Sequence, residues 1–319
     1  MKYRIGVIIV NYKTPALVID ALDSLQPSMA SEDVGVVVVD NASADDSISI
    51  LKNNLATRAY AERFNLVETE RNGGFSFGNN RGLAAIECEF VHFLNSDAIA
   101  KPGALGALAS ALENDRRLGA VTPKIVNSDG KQEVSRFRNH HPLSELVDGA
   151  QSDPLTKLFR FAETPIFPDD TVTAPDWASF ASIMVRRSVI EQVGPMDEGF
   201  FLYYEDCDYC RRIKKAGYSI EYIEKAAFVH DAGGSTQLAK MTREKTRLPE
   251  YFFRSRNRYY RKYYGPLGPI TANILWAIGR GLALLRGIFG RPAPALSLYF
   301  GRDIWIGWRV QDWDKPDNR

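Results

Sequence analysis

The 319-residue sequence predicts an α/β protein: a mainly parallel sheet with helices on both faces, followed by a basic, amphipathic helical C-terminal region. Three observations predict it. Runs of β-branched residues alternate with helical patterns from residue 4 to residue 122, each run ends in a short polar cluster, and the charge balance changes sign near residue 240. Residues 241–319 hold 15 Lys/Arg against 6 Asp/Glu, a surplus of +9 that leaves −8 for residues 1–240, so the last quarter differs in kind from the rest. A chain with 45% hydrophobic and 25% charged residues is globular rather than disordered. Its three cysteines, Cys88, Cys207 and Cys210, are too few for a disulfide framework and fit a reducing compartment. Cys207 and Cys210 form a C-x-x-C, but no second pair or nearby histidine completes a zinc site. The first strand pattern follows Met-Lys-Tyr directly, without an apolar signal region, which predicts a cytosolic location.

Residues 4–10 form the first strand, continuous in apolar residues as a strand buried on both faces is, and a helix follows to about residue 25. A second strand at 34–39 ends in Asp40-Asn41-Ala42-Ser43, before a helix to about residue 55. A weaker third strand at 64–68 leads into a loop rich in glycine and asparagine at 71–82, then a short helix carrying Leu83, Ala84 and Ile86. The fourth strand runs straight into Asn95-Ser96-Asp97, and a helix at 102–114 and a strand at 119–122 complete the alternation.

The organising stretch is 90–97, because an acid at a strand's C-terminal end lies where open α/β sheets bind ligands. Asp97 there can hold a hard divalent cation, magnesium or manganese, against a diphosphate; it is equally placed to cap the next helix. Asp40 is a candidate acceptor for a base imide or ribose hydroxyl, or an N-cap residue. In the 71–82 segment, Gly73 and Gly74 allow close backbone approach and Asn72, Asn79 and Asn80 offer amides to ribose or phosphate oxygens, although such a segment is also an ordinary turn. A nicotinamide-binding unit would need G-x-G-x-x-G after the first strand, where Asn11-Tyr12-Lys13-Thr14-Pro15 stands instead, and no Walker lysine loop is present.

From 127 to 176 periodicity fades and prolines recur, which reads as a partly helical excursion over the mouth of the site. A strand-like run at 176–185 and a helix to Val193 follow. The aromatic-rich run 200–204 then delivers Glu205 and Asp206 to the start of a helix that stops at Gly217. Carboxylates there are favoured electrostatically, either as simple caps or, kept ionised, as a general base. Two strands, at 218–223 and 227–229, end in His230 before a Gly-Gly turn; a lone histidine is either structural or a ligand.

Taken together, Val10-Asn11-Tyr12, Val39-Asp40-Asn41-Ala42-Ser43, Asn72-Gly73-Gly74-Phe75, Asn79-Asn80-Arg81-Gly82, Leu94-Asn95-Ser96-Asp97, Met196-Asp197-Glu198-Gly199-Phe200-Phe201, Tyr204-Glu205-Asp206-Cys207-Asp208 and residues 230–235 resemble, in order, a family 2 glycosyltransferase of the GT-A type, in particular the bacterial rhamnosyltransferases of cell-surface polysaccharide synthesis. The resemblance covers about residues 4–265. It implies an inverting hexosyltransferase that moves a sugar, rhamnose from dTDP-rhamnose in the leading reading, to a hydroxyl of a lipid-linked or polysaccharide acceptor. The alternatives are a UDP- or GDP-sugar donor, or a non-catalytic sugar-nucleotide-binding scaffold. By the same resemblance Asn11, Tyr12, Asp40, Asn72, Gly73 and Asn80 line the nucleotide site, Asp97 and His230 meet a divalent metal, Asp206 with Glu205 beside it is the catalytic base, and Asp176 and Trp177 border the acceptor. Two departures stand out: serine where relatives commonly have proline between Asn95 and Asp97, and Phe180-Ala181 where they commonly have Gly-Ala, which puts a phenyl ring near the expected sugar pocket.

The division expected is a catalytic unit at 1–240, split into a nucleotide-sugar half (1–125) and an acceptor half (126–240), and a basic region at 241–319. Residues 250–264 interleave aromatics with Arg254, Arg256, Arg258, Arg261 and Lys262, a pattern that suits a nucleic acid or a membrane interface. The apolar run at 270–289 decides for the membrane and against nucleic acid. Because it contains Arg280 and Arg286, an in-plane helix at the inner face of the cell membrane is expected rather than a span; the alternative is a helix packed on the protein or on a second subunit, giving a homo-oligomer.

Overall fold

The computed structural model describes residues 2–170, 172, 174–230 and 238–309. Strand β1 (Lys2–Asn11), helix α1 (Pro15–Ser31), β2 (Val34–Asp40), α2 (Ser47–Ala56), β3 (Phe64–Glu68), α3 (Gly74–Ala84) and β4 (Glu87–Asn95) form the expected alternating unit. β5 (Ala98–Ala100), α4 (Ala104–Asn114) and β6 (Leu118–Val126) follow. The excursion holds β7 (Arg136–Phe137), α5 (Pro142–Ala150), α6 (Asp153–Leu158), β8 (Pro165–Ile166) and β9 (Trp177–Ala178). The chain re-enters the sheet as β10 (Ser182–Arg186), then α7 (Arg187–Val193), α8 (Glu205–Lys215) and β11 (Ser219–His230). Last come α9 (Leu238–Glu244), α10 (Glu250–Tyr264), α11 (Gly268–Ile288) and α12 (Phe300–Asp303).

The main sheet has eight strands in the order β3-β2-β1-β4-β10-β6-β11-β5, and β8-β7-β9 form a small second sheet. β3, β2, β1 and β4 are parallel, as are β6 and β11. β10 enters between β4 and β6 antiparallel to both, so the sheet is mixed where strict alternation would have placed β6 beside β4. The reason is the excursion: after residues 127–181 the chain comes back at the end of the sheet where β6 finished rather than through a crossover helix. The two strands expected at 218–223 and 227–229 are one strand, with a register irregularity between Ile223 and Ala227.

Both faces of β1, β2 and β4 are sealed over most of their length, which explains the apolar runs there. Ile5, Val7, Ile9, Val36 and Val38 point into one core with α1 and α4; Ile8, Val37 and Val39 point into the other, shared with α3, α7 and α8. That second core also takes Tyr259 and Tyr260 of α10 and Ala272 of α11, so the C-terminal helices pack on the same layer. α11 crosses α5 at two glycines. A Cβ on Gly279 would lie 2.2 Å from the Leu146 carbonyl oxygen, and one on Gly149 would lie 2.4 Å from that of Trp276.

The interleaved bases of α10 are turned toward protein acids, not outward as a lipid-facing helix requires. Arg256 pairs with Glu145, Arg258 with Asp197, and Lys262 with Asp197 and Asp208. The apolar run is helix α11, and its two arginines are used locally: Arg286 donates to the carbonyls of Ala150 and Gln151, Arg280 to that of Pro294.

Candidate active site

Register brings the polar strand ends together. Asn11 pairs with Asp40 across β1 and β2, and Val10 pairs with Asn95 across β1 and β4, so three C-terminal strand ends lie side by side. Asp40 is fully buried there. Its carboxylate accepts from the Asn11 amide (2.7 Å), the Ser43 hydroxyl (2.6 Å) and the Ser43 backbone N–H (3.0 Å). Asn11 accepts in turn from Thr14, whose hydroxyl lies 3.4 Å from that of Ser96. Tyr12 stays open at this edge, with the Lys13 ammonium 5.2 Å from its ring centre.

The 71–82 segment is not the long loop expected from its composition: α3 starts at Gly74, so Asn79 and Asn80 are buried on a helix. What approaches the glycines is the protein itself. Gly74 has φ +88°, and a Cβ on it would lie 2.1 Å from the Phe201 carbonyl oxygen, which accepts from the Phe75 N–H at 2.7 Å. A Cβ on Gly73 would meet the Phe77 ring, and Gly78 and Gly82 pack against Val10 and Ile8. Asn72 accepts from the Gly74 N–H and from the Asn41 amide, which closes the turn. The Asn80 side chain accepts from the Met196 N–H at 2.9 Å and donates to the Met196 carbonyl and to Glu198, both at 3.0 Å, so it clasps the loop that leads toward Glu205.

Asp97 and His230 are 133 positions apart in sequence. Antiparallel pairing of β5 with β11 sets His230 against Ala98, and the His230 Nε2 stands 3.3 Å from the Asp97 Oδ1. One oxygen and one imidazole nitrogen at that spacing suit a shared hard or borderline divalent cation whose other ligands are phosphate oxygens and water. Among the described residues no cluster of three or more His, Cys, Asp or Glu forms a complete metal site. Residues 231–235 of the Gly-Gly turn lie outside the described residues.

Asp206 and Glu205 open α8. Two successive tyrosines, Tyr203 (φ +69°) and Tyr204 (φ +66°), turn the chain through left-handed backbone into that helix, a conformation that costs bulky residues about 1–2 kcal/mol each. Ser255 of α10 holds the turn by donating to the Leu202 carbonyl (3.0 Å), and the Phe75–Phe201 bond holds it from α3. α8 is then seated by Tyr209, whose ring packs edge-on to Phe93 of β4 and to Phe180. Phe180 itself is buried and stacks on Phe93, so its ring fills the core under the sheet instead of the sugar pocket expected for it.

The helix dipole does not keep both carboxylates ionised as expected from their position. Burial raises the Glu205 pKa well above its ordinary value, with the neighbouring Asp206 adding to the effect. Asp206 is partly open to solvent yet hemmed in by protein, and burial pushes its carboxyl up to about 6 against a stabilising hydrogen bond from the Cys207 N–H. A carboxyl raised to about 6 suits a group that takes up a proton near neutral pH. Cys207 and Cys210 are buried, burial raises both thiols, and they form no disulfide.

Asp176 and Trp177 sit on the small sheet. Asp176 pairs with Lys214 of α8 and accepts from the Asn139 N–H. Trp177 stacks on Phe137 at 4.0 Å and donates from its indole nitrogen to the Arg138 carbonyl. Sequence reasoning missed His140, whose ring lies 5.7 Å from Trp177 and 4.9 Å from Tyr204. Burial lowers its pKa to about 4, so it is a neutral part of the aromatic wall beside Glu205. The His140-His141-Pro142 run, an unusual pair before a helix-starting proline, was the available signal.

Comparison with known proteins finds glycosyltransferases. N-acetylglucosaminyl-diphospho-decaprenol L-rhamnosyltransferase of Mycobacterium tuberculosis is 28% identical over 233 residues, 66% of this chain and 70% of its own. Rhamnosyltransferase WbbL of Escherichia coli is 23% identical over 222 residues, 64% of this chain and 81% of its own. In fold the chain is similar to the mannosyltransferase PcManGT of Pyrobaculum calidifontis, solved in complex with GDP-Man and Mn2+ (TM-score 0.57, 17% identity, 90% of this chain and 76% of that one). The glycosyl transferase family 2 model matches residues 6–193, more than half of the chain, and the protein therefore belongs to glycosyl transferase family 2 and is a glycosyltransferase.

Proposed function

We propose that the protein is an inverting glycosyltransferase that moves rhamnose from dTDP-rhamnose to a hydroxyl of a lipid-linked or polysaccharide acceptor at the inner face of the cell membrane. The observation that carries this reading is the separation of two acidic centres with different environments: Asp97 beside His230 at the strand ends, and Asp206, raised to about 6, at the start of α8. The rhamnosyltransferase relatives support the choice of donor. Asn11, Tyr12, Asp40, Asn72, Gly73 and Asn80 belong to the nucleotide side, where Asp40 and Asn11 fix the polar floor and Asn80 holds the loop leading to Asp206. Asp176 and Trp177 border the acceptor side through the wall they share with His140 and Tyr204.

In this reading Asp206 takes the proton of the acceptor hydroxyl as that oxygen attacks the anomeric carbon, and the configuration inverts in a single displacement. Burial and the neighbouring Asp206 both disfavour a second negative charge at Glu205. Bound at Asp97 and His230, magnesium or manganese would supply Lewis-acid charge beside the donor diphosphate. A UDP- or GDP-sugar donor is the second reading, favoured by the fold likeness to a GDP-Man-bound mannosyltransferase. The test is a panel of dTDP-, UDP- and GDP-sugars assayed for release of nucleoside diphosphate with and without manganese. Manganese-dependent turnover of dTDP-rhamnose is expected; turnover of a UDP- or GDP-sugar alone would replace the donor, and binding without turnover of any would leave a scaffold.

A further inference from the structure

Helix α11 is apolar on two opposite faces, and only one of them is covered. Ala272, Trp276, Gly279 and Ala283 are buried, packed toward α5 and the C-terminal core. On the other side Ile274, Ile278, Leu282, Leu285 and, just past the helix end, Phe289 are exposed, the last 84% so. Their spacing of three and four residues makes one stripe, roughly 22 Å long. Leu282, Leu285 and Phe289 also line one side of an open groove of about 260 Å³ whose far wall is Ala150 and Leu155. Charge along this stretch of chain has one sign: residues 265–301 contain Arg280, Arg286 and Arg291 and no Asp or Glu. An apolar stripe of this length, on a helix whose own charged residues are all arginines, complements an anionic lipid surface.

We propose that this stripe lies in the headgroup layer of an anionic bilayer with the axis of α11 in the membrane plane. By length and composition the helix could cross a bilayer, but its inner face is locked. Gly279 and Gly149 set the two helix backbones in direct contact, and Arg286 caps α5, so the helix cannot turn both faces to lipid while the fold is intact. The inference rests on the proposed membrane-borne acceptor, since α5 connects the lipid-facing groove at Ala150 to His140 beside Tyr204, about 14 Å of helix away.

The test is co-sedimentation of the full chain with vesicles of phosphatidylcholine alone and of phosphatidylcholine with phosphatidylglycerol. Wild-type protein is expected to partition onto the anionic vesicles and to exchange between vesicle populations. Ile278→Glu/Leu285→Glu should weaken partition at least tenfold with unchanged thermal unfolding and donor binding, and Ile278→Ser/Leu285→Ser should weaken it less. Equal partition of wild type and the glutamate variant, partition that never exchanges, or conversion of a lipid-free dimer to monomer by these changes would overturn the inference, the last by giving the stripe to a second copy. Donor turnover without vesicle binding sinks this inference alone; vesicle binding without turnover of any donor sinks the transferase reading alone.

Discussion

The Arg256 guanidinium and the Glu145 carboxylate meet with Nη2 2.8 Å from Oε2 and Nε 3.0 Å from Oε1, with both side chains buried. The Tyr260 hydroxyl donates to the same carboxylate, and Arg256 donates on to Asn273 of α11. This pair joins the basic helix α10 to the excursion that carries His140. Burial works to raise the Glu145 pKa, and the Arg256 charge and its hydrogen bonds outweigh it, leaving the carboxyl below its ordinary value.

Removing one partner strands a buried charge. Arg256→Met is expected to lower the unfolding free energy by about 3–5 kcal/mol, and combining it with Glu145→Leu should recover most of that loss. Denaturant titration of the two single variants and the double checks this; additive losses would contradict a coupled pair.

Two glycines two positions apart on α11, about 3 Å along its axis, should behave in opposite ways. Gly279→Ala puts a methyl against the Leu146 carbonyl, which cannot yield, and is expected to cost about 1–3 kcal/mol. Gly281→Ala meets nothing within 4 Å and should stabilise α11 by up to about 1 kcal/mol. Thermal unfolding of both variants is the measurement.

Gly74→Ala combines left-handed strain with a clash against the Phe201 carbonyl. The loop carrying Tyr203 and Tyr204 would move, and a shift of about 1 Å at Asp206 is expected to lower kcat roughly 100-fold. Steady-state kinetics should show kcat falling more than donor affinity.

The pH profile follows from Asp206. A base acts when ionised, and this carboxyl is raised to about 6, so kcat/KM should climb as pH rises through 6 and fall on acidification below it. An acidic limb centred near 4, the ordinary carboxylate value, would mean that a different group limits the rate.

Much of this was legible in the sequence because the parallel half buries both faces: the runs at 4–10, 34–39 and 90–94 have no polar side to hide. The direction of β10 was not, since Ser182–Arg186 reads like any buried strand and its orientation is set by the excursion before it. The segment at 71–82 reads as a turn by composition, and becomes helix only because Gly78 and Gly82 let α3 sit directly on Val10 and Ile8. The bases of α10 suggested a lipid or nucleic-acid surface because their partners, Glu145, Asp197 and Asp208, lie 50 or more positions away. Glu205 and Asp206 were found at a helix start, but only the packing around them shows that burial raises both carboxyls against the helix dipole.

Metal removal bears on Asp97. Chelation by EDTA is expected to abolish turnover and weaken donor binding at least tenfold, and Asp97→Asn should lose most of the manganese-dependent gain in affinity. Calorimetry with dTDP, with and without manganese, reads the effect; equal affinity in both conditions for wild type would remove the metal from the donor site.

The central claim is that Asp206 is the base, and Asp206→Asn tests it most directly because the amide keeps the shape and cannot take the proton. With manganese and donor saturating, single-turnover transfer should fall by about 100-fold or more while donor affinity stays within a few fold of wild type. Transfer at the wild-type rate with the same donor affinity would contradict it.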